Sequence, residues 1–173
     1  ACLAFAREGA DVVVHYNTNE DAAAAVADEI VGLGRRAEIA PADVANEASV
    51  AQLYSVVESF VGARGLNVIF NNAGIYPLGT IDDITVEQWD EVFAVNARGA
   101  FLTTRGALPF LRRAEGARRI INIGSVIPGL GLPGLLHYSA AKAAVVGFTH
   151  SLSRELGADG INVNCIVPRQ VAT

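Results

Sequence analysis

Short runs of apolar and β-branched residues alternate with longer helical patterns along the whole chain, and this limits the fold more than any other feature. Strands are predicted at Asp11–Tyr16, Ala37–Pro41, Leu66–Asn71, Arg119–Gly124 and Gly160–Val167. Helical spacing fills the gaps. Residues 21–33 place Val26, Ile30 and Leu33 on one face and stop at Gly34, and residues 49–61 do the same with Val50, Leu53, Val57 and Phe60. A stretch from Thr85 to Arg113 opens with Thr85 and Gln88 at capping-box spacing, and a last helix is predicted over residues 138–156. Parallel strands joined by helices need crossovers of one hand, with helices covering both faces of the sheet. The expected class is therefore α/β: a doubly wound parallel sheet, a Rossmann-like three-layer α/β/α arrangement. No repeat, low-complexity tract or linker interrupts the pattern, so residues 1–173 read as one domain.

The bulk numbers narrow the function classes. A 51% hydrophobic, 18% charged chain is rich enough in apolar residues to bury a parallel sheet. A net charge of -5 argues against a nucleic-acid partner, which calls for a basic face. Cys2 and Cys165 have neither metal-ligand spacing nor a disulfide framework, so they read as reduced core thiols and no metal is expected. With no bilayer-spanning stretch and no signal peptide, a cytoplasmic protein without membrane contact is expected. The chain contains no methionine and begins inside the helical pattern Ala1–Gly9, without a helix start. It is expected to be a piece whose N-terminal segment is missing.

In parallel sheets, ligands bind beyond the carboxyl ends of the strands. Tyr16-Asn17, Asp43-Val44, Asn71-Asn72-Ala73-Gly74 and Ser125 all follow predicted strands. Tyr138 and Lys142 are one helical turn apart, roughly 6 Å along the axis, so both project to the same face. A lysine cation there favours the phenolate and makes proton transfer to or from an alcohol oxygen feasible near neutrality. A surface Tyr and Lys would show the same spacing. Ser125, thirteen residues earlier, can stabilise charge on a substrate oxygen or serve as a turn residue. Adjacent amides at Asn71 and Asn72 can tie strands together, while Ala73 and Gly74 let a flat ligand approach the backbone. Asn96, beside Gly99, suggests a local break in a helix.

Taken in this order on these elements, the motifs resemble those of the classical short-chain dehydrogenases/reductases over essentially the whole chain. They recur as Asp43-Val44, Asn71-Asn72-Ala73-Gly74, Asn96, Gly124-Ser125, Tyr138-x-x-x-Lys142 and Pro168-x-x-x-x-Thr173. The resemblance implies an oxidoreductase moving a hydride between NAD(P) and an alcohol or ketone carbon. Tyr138 would be the general acid/base, Ser125 would polarise the substrate oxygen, and Lys142 would hold the nicotinamide ribose. Asn96 would position a water leading to Lys142. Asp43 and Val44 would contact the adenine, and Asn72, Ala73 and Gly74 would line the adenine ribose and the approach to the nicotinamide. Pro168 and Thr173 would lie against the nicotinamide. A homodimer or homotetramer is implied for the full-length parent, built on the two long helical stretches.

The chain also departs from the family pattern. The first strand with its glycine-rich phosphate turn, and the last strand, are absent, so the 173-residue piece alone is expected to be inactive and poorly folded. At the end of the first strand present, Tyr16 and Asn17 stand where NAD-specific members carry a carboxylate, and the expectation leans to NADP over NAD. Arg169 replaces the usual glycine after Pro168. Residues 72–78 resemble members acting on aromatic secondary alcohols, and residues 123–126 resemble 3-oxoacyl-carrier-protein reductases, so 3-oxoacyl thioester reduction is an alternative. A non-catalytic NAD(P)-fold protein acting in assembly or regulation is another. The apolar loop Val126–His137 is expected to form a substrate wall or a subunit contact.

Overall fold

The computed structural model describes residues 1–169. Their contacts divide the chain into two compact units, Ala1–Gly62 and Ala63–Thr173.

In the first unit the elements are α1 (Cys2–Arg7), β1 (Val12–Tyr16), α2 (Glu20–Gly32), β2 (Ala37–Pro41) and α3 (Glu47–Val61). β1 and β2 pair in parallel, with Val12 opposite Ala37 and Tyr16 opposite Pro41. Two asparagines set the helix starts. Asn19 accepts the Ala22 N–H for α2, and Asn46 accepts the Ser49 N–H for α3. Ala6, Val14, Ala23 and Ile30 form a buried cluster between α1, β1 and α2, with Val26 and Ile39 packed against it. Leu33, expected on the buried face of α2, is exposed instead. It lies one residue past the helix, where the α-helical period no longer directs it. Asp11 braces the open end of the sheet: it accepts the Arg36 backbone N–H and Nε and pairs with Arg35 Nη2 at 2.8 Å. The Arg36 backbone N–H is the main reason its carboxyl titrates below the usual range.

The second unit contains β3 (Val68–Asn71), α4 (Val86–Phe93), a π-turn (Ala94–Arg98), α5 (Gly99–Arg113), β4 (Arg118–Ile123), α6 (Ile127–Leu130), α7 (Leu136–Glu155) and β5 (Ile161–Ile166). Its sheet is parallel, in the order β3-β4-β5. The register sets Asn71 opposite Asn122, and Asn122 opposite Cys165. α5 packs on β3 and β4, and α7 on β4 and β5. The chain enters β3 through Gly65, whose φ of +73° suits glycine. A methyl group there would stand 2.5 Å from the Phe110 carbonyl oxygen, so the turn can press directly on the end of α5.

The Thr85 capping box forms as expected: Gln88 N–H donates to Thr85 Oγ1, and Gln88 Oε1 accepts the Thr85 N–H. The long stretch to Arg113 is broken by the π-turn centred on Asn96, the break its sequence suggests. The apolar loop after Ser125 holds a short helix, α6, that the sequence did not show. Both cysteines are free and half-buried rather than core residues. Among the described residues no helix is long and apolar enough to cross a membrane.

Candidate active site

In the second unit, strand ends and helix turns carry the predicted residues. Asn72, Ala73 and Gly74 are exposed just past β3, and Ser125 follows β4. Pro168 follows β5, and its carbonyl accepts the Val126 N–H, tying the ends of β4 and β5 together. Tyr138 and Lys142 stand on successive turns of α7. Lys142 is only 4% exposed, and its Nζ donates to the Ile123 carbonyl at 2.8 Å. That bond uses one of three ammonium protons. The Lys142 Nζ lies 5.8 Å from the centre of the Tyr138 ring. Burial pulls the Lys142 pKa below the ordinary lysine value, while neighbouring Cys165 acts in the opposite direction.

Asn96 supplies the decisive geometry. Its side chain is 2% exposed, and Nδ2 donates to the Ile75 and Val92 carbonyls at 2.9 and 3.0 Å. Two acceptors on one side fix the amide's orientation, because only the NH₂ end can face both. Oδ1 must therefore point away, and it has no hydrogen-bond partner. A buried, unpaired acceptor costs about 1–3 kcal/mol, so this atom calls for a donor. A methyl group on Gly74 would stand 2.7 Å from Asn96 Oδ1 and 3.5 Å from Lys142 Nζ. Glycine thus keeps open a small space bordered by an unpaired carbonyl oxygen and an ammonium group. A ribose hydroxyl or a water carries the donor and acceptor such a space requires, so these residues fit the ribose of a nicotinamide cofactor.

Ser125 is buried, and its Oγ accepts the Ile127 N–H at 3.1 Å. That leaves the hydroxyl proton free to donate elsewhere. Ser125 is not hydrogen-bonded to Tyr138; in unliganded sites such bonds often form only on substrate binding. Tyr76, which the sequence did not single out, lies edge-on to Tyr138 with ring centres 6.0 Å apart. The signal was available, since an aromatic residue two positions after Gly74 follows the carboxyl end of β3, where ligands of parallel sheets bind.

Behind the site runs a polar network also missed in the sequence. Thr103 donates to Asn71 Oδ1, and Asn71 Nδ2 donates to Thr104 and to Asn122 Oδ1. Asn122 Nδ2 donates to Thr149 on α7. Asn71 therefore does tie strands together, as its amide suggested.

With this geometry, comparison with known proteins is decisive. A family profile described as short chain dehydrogenase matches residues 1–173. The chain belongs to the short chain dehydrogenase family. It is 41% identical over 181 residues to a short-chain type dehydrogenase/reductase of Picea abies, covering 99% of this chain and 65% of that relative. It is 40% identical to a 3-oxoacyl-[acyl-carrier-protein] reductase of Synechocystis, covering 99% of this chain and 68% of that protein. A crystal structure of a short chain dehydrogenase from Burkholderia cenocepacia, in complex with NADP, superposes with a TM-score of 0.89 at 35% identity, over 96% of this chain and 66% of that one. This chain thus spans about two thirds of the length of such family members. The family's Rossmann-like α/β fold matches the class read from the alternation of strands and helices.

In the first unit, Tyr16 and Asn17 end β1 and lead into α2, and Asp43 and Val44 follow β2. Asp43 Oδ1 accepts the Ala45 N–H, and the Val44 side chain is buried. Both side chains therefore have structural duties, which leaves chiefly backbone atoms for a ligand. Partial burial and the charge of Glu20, the first residue of α2, raise the Tyr16 pKa. The strand end itself carries no carboxylate; the nearest one along the chain opens α2 at Glu20. Thr173 lies outside the described residues.

Proposed function

We propose that this chain carries the catalytic residues of an oxidoreductase that moves a hydride between NAD(P) and an alcohol or ketone carbon. The carrying observation is the buried Lys142 ammonium beside the Tyr138 ring, next to the unpaired Asn96 oxygen. When bound, the nicotinamide cofactor supplies or accepts the hydride. Everything else falls to the protein. Tyr138 gives its proton to the substrate oxygen in reduction and takes it back in oxidation. Ser125, its proton free, donates to the same oxygen and holds it in place. Lys142 holds the nicotinamide ribose hydroxyls, and its charge stabilises the phenol oxygen as it loses its proton. Asn96 Oδ1 accepts from a water that links to Lys142 Nζ and resupplies the proton. Asn72, Ala73, Gly74 and Pro168 line the cofactor on this unit, with Thr173 further along the chain. For its adenosine end the resemblance implies Tyr16, Asn17, Asp43 and Val44.

The test is isotopic. The full-length protein, given reduced cofactor deuterated at nicotinamide C4 and a ketone, should yield alcohol with deuterium on the carbinol carbon. Hydrogen from solvent at that carbon would sink the proposal.

Cofactor choice turns on Glu20. Its carboxylate sits with Tyr16 where the adenosine ribose is assigned and would repel a 2′-phosphate. Glu20→Gln should raise the kcat/KM ratio of NADP to NAD by about tenfold, in line with one removed like-charge contact. An unchanged ratio would free Glu20 from any part in cofactor choice.

A further inference from the structure

The loop that follows β2 is held from three sides. Ala42 N–H donates to the Tyr16 carbonyl, carrying the β1–β2 ladder one bond further. Asp43 N–H donates to Ser49 Oγ on α3 at 3.0 Å, and the Asp43 carbonyl accepts the Asn46 N–H. The third bond comes from a side chain 27 residues away: His15 Nε2 lies 2.8 Å from the Ala42 carbonyl oxygen. A carbonyl only accepts, so this nitrogen carries the ring proton.

Strand geometry places the imidazole there. Side chains alternate along β1, and Val12, Val14 and Tyr16 belong to the cluster shared with α2. His15 stands on the opposite face, level with the fully buried Ala40 of β2. β1 ends at Tyr16, and the Ala42 carbonyl takes its proton from the His15 ring instead of from a further strand residue. The bond matters because of what the loop offers. The Asp43 carboxylate accepts the Ala45 N–H and the Val44 side chain is buried, so a ligand meets chiefly backbone atoms there. Backbone groups have no rotamers with which to adjust to a ligand. Their affinity depends on the course of the chain, and that course is set at Ala42, one residue before Asp43.

We infer that His15 is a positioning residue for the adenine half of the cofactor: its ring holds the Ala42 peptide, and through it the Asp43–Val44 backbone, in the binding course. The inference rests on the NAD(P) reading above, in which the resemblance implies Asp43 and Val44 at the adenosine end. His15 acts through Ala42 and not by contact with the ligand. Without its bond the loop samples other courses, and cofactor affinity falls by the fraction that remains competent.

The test compares NADH, NADPH and reduced nicotinamide mononucleotide, which keeps the reacting ring but lacks adenosine, as cofactors of the full-length protein. His15→Leu should raise KM for NADH and NADPH about fivefold, the effect of one lost hydrogen bond, with kcat at saturating cofactor unchanged. The kcat/KM for the mononucleotide should not move. His15→Gln should restore both KM values to within about twofold, because its terminal amide nitrogen donates from about the position of Nε2. Should His15→Leu not fold, His15→Asn replaces it; its amide stops short of Ala42 and should give the same loss. Unchanged KM values overturn the inference. So does an equal fall with the mononucleotide, which would make the histidine a general structural residue, or a glutamine variant no better than leucine. Calorimetric titration with ADP-ribose separates this from the hydride reading. About fivefold weaker binding in His15→Leu upholds the brace even without turnover, and equal affinities overturn it alone. A parent protein that does not bind ADP-ribose would overturn the cofactor reading and this inference with it.

Discussion

Tyr138→Phe is expected to slow turnover about 10³-fold, the middle of the range for losing a general acid/base, while leaving fold and cofactor affinity close to those of the parent. The substitution removes one oxygen atom and little else. The ring keeps its edge-on contact with Tyr76 and its place near Lys142 Nζ. The Tyr138 hydroxyl satisfies no buried group, so deleting it orphans nothing and should shift stability by no more than about 0.5 kcal/mol. Lys142→Met provides the contrast. It removes a buried cation whose desolvation lowers its pKa, along with its bond to the Ile123 carbonyl. Those two effects oppose each other in stability, so the melting temperature should change little, but cofactor affinity should fall with turnover. Steady-state kinetics, cofactor titration and thermal melts separate the two variants. A Tyr138→Phe protein retaining a tenth of parental turnover would remove Tyr138 from the mechanism. One melting well below the parent would make it a structural residue.

How much of this was legible depended on whether a residue's role had a sequence period or a local signature. The five strands and the long helices were legible because burial on a sheet or helix face repeats at a fixed interval, and observed ends fall within two residues of those predicted. The Thr85–Gln88 capping box is a local signal of fixed spacing, and it formed. Asn96 was readable because asparagine is a poor residue for a helix interior, and the chain puts a π-turn there. α6 has four residues, one of them proline and one glycine, too short for any period to show. Glu20 was missed because it opens α2 four residues past the strand end, and nothing in the linear sequence ties it to Tyr16. Thr103, Thr104 and Thr149 escaped for a similar reason. Each sits on a helix where threonine looks like an ordinary half-polar position, and only tertiary pairing reveals what its hydroxyl meets.

That hidden network leads to the largest stability effect expected outside the reacting residues. Asn122 is fully buried on β4, with Oδ1 accepting from Asn71 and Nδ2 donating to Thr149. It therefore joins β3, which delivers Gly74, to α7, which carries Tyr138 and Lys142, from the strand that ends at Ser125. Leucine has nearly the same volume but neither group. Asn122→Leu would leave Thr149 Oγ1 without its donor and Asn71 Nδ2 with only Thr104, at a total cost of about 3 kcal/mol. Thr149→Val, which keeps the Asn122–Asn71 bond, should cost about 1 kcal/mol. The double variant should fall short of the sum by 0.5 kcal/mol or more, about the coupling expected between contacting groups. Chemical denaturation of the full-length protein measures all three. A network that only stabilises would leave kcat per folded molecule unchanged. A network that also aligns α7 with the ends of β3 and β4 would lower kcat in Asn122→Leu even where the protein remains fully folded, and its placement between the three elements that carry the site predicts the second result. An Asn122→Leu protein as stable as the parent would mean that the buried amides are replaceable by packing alone.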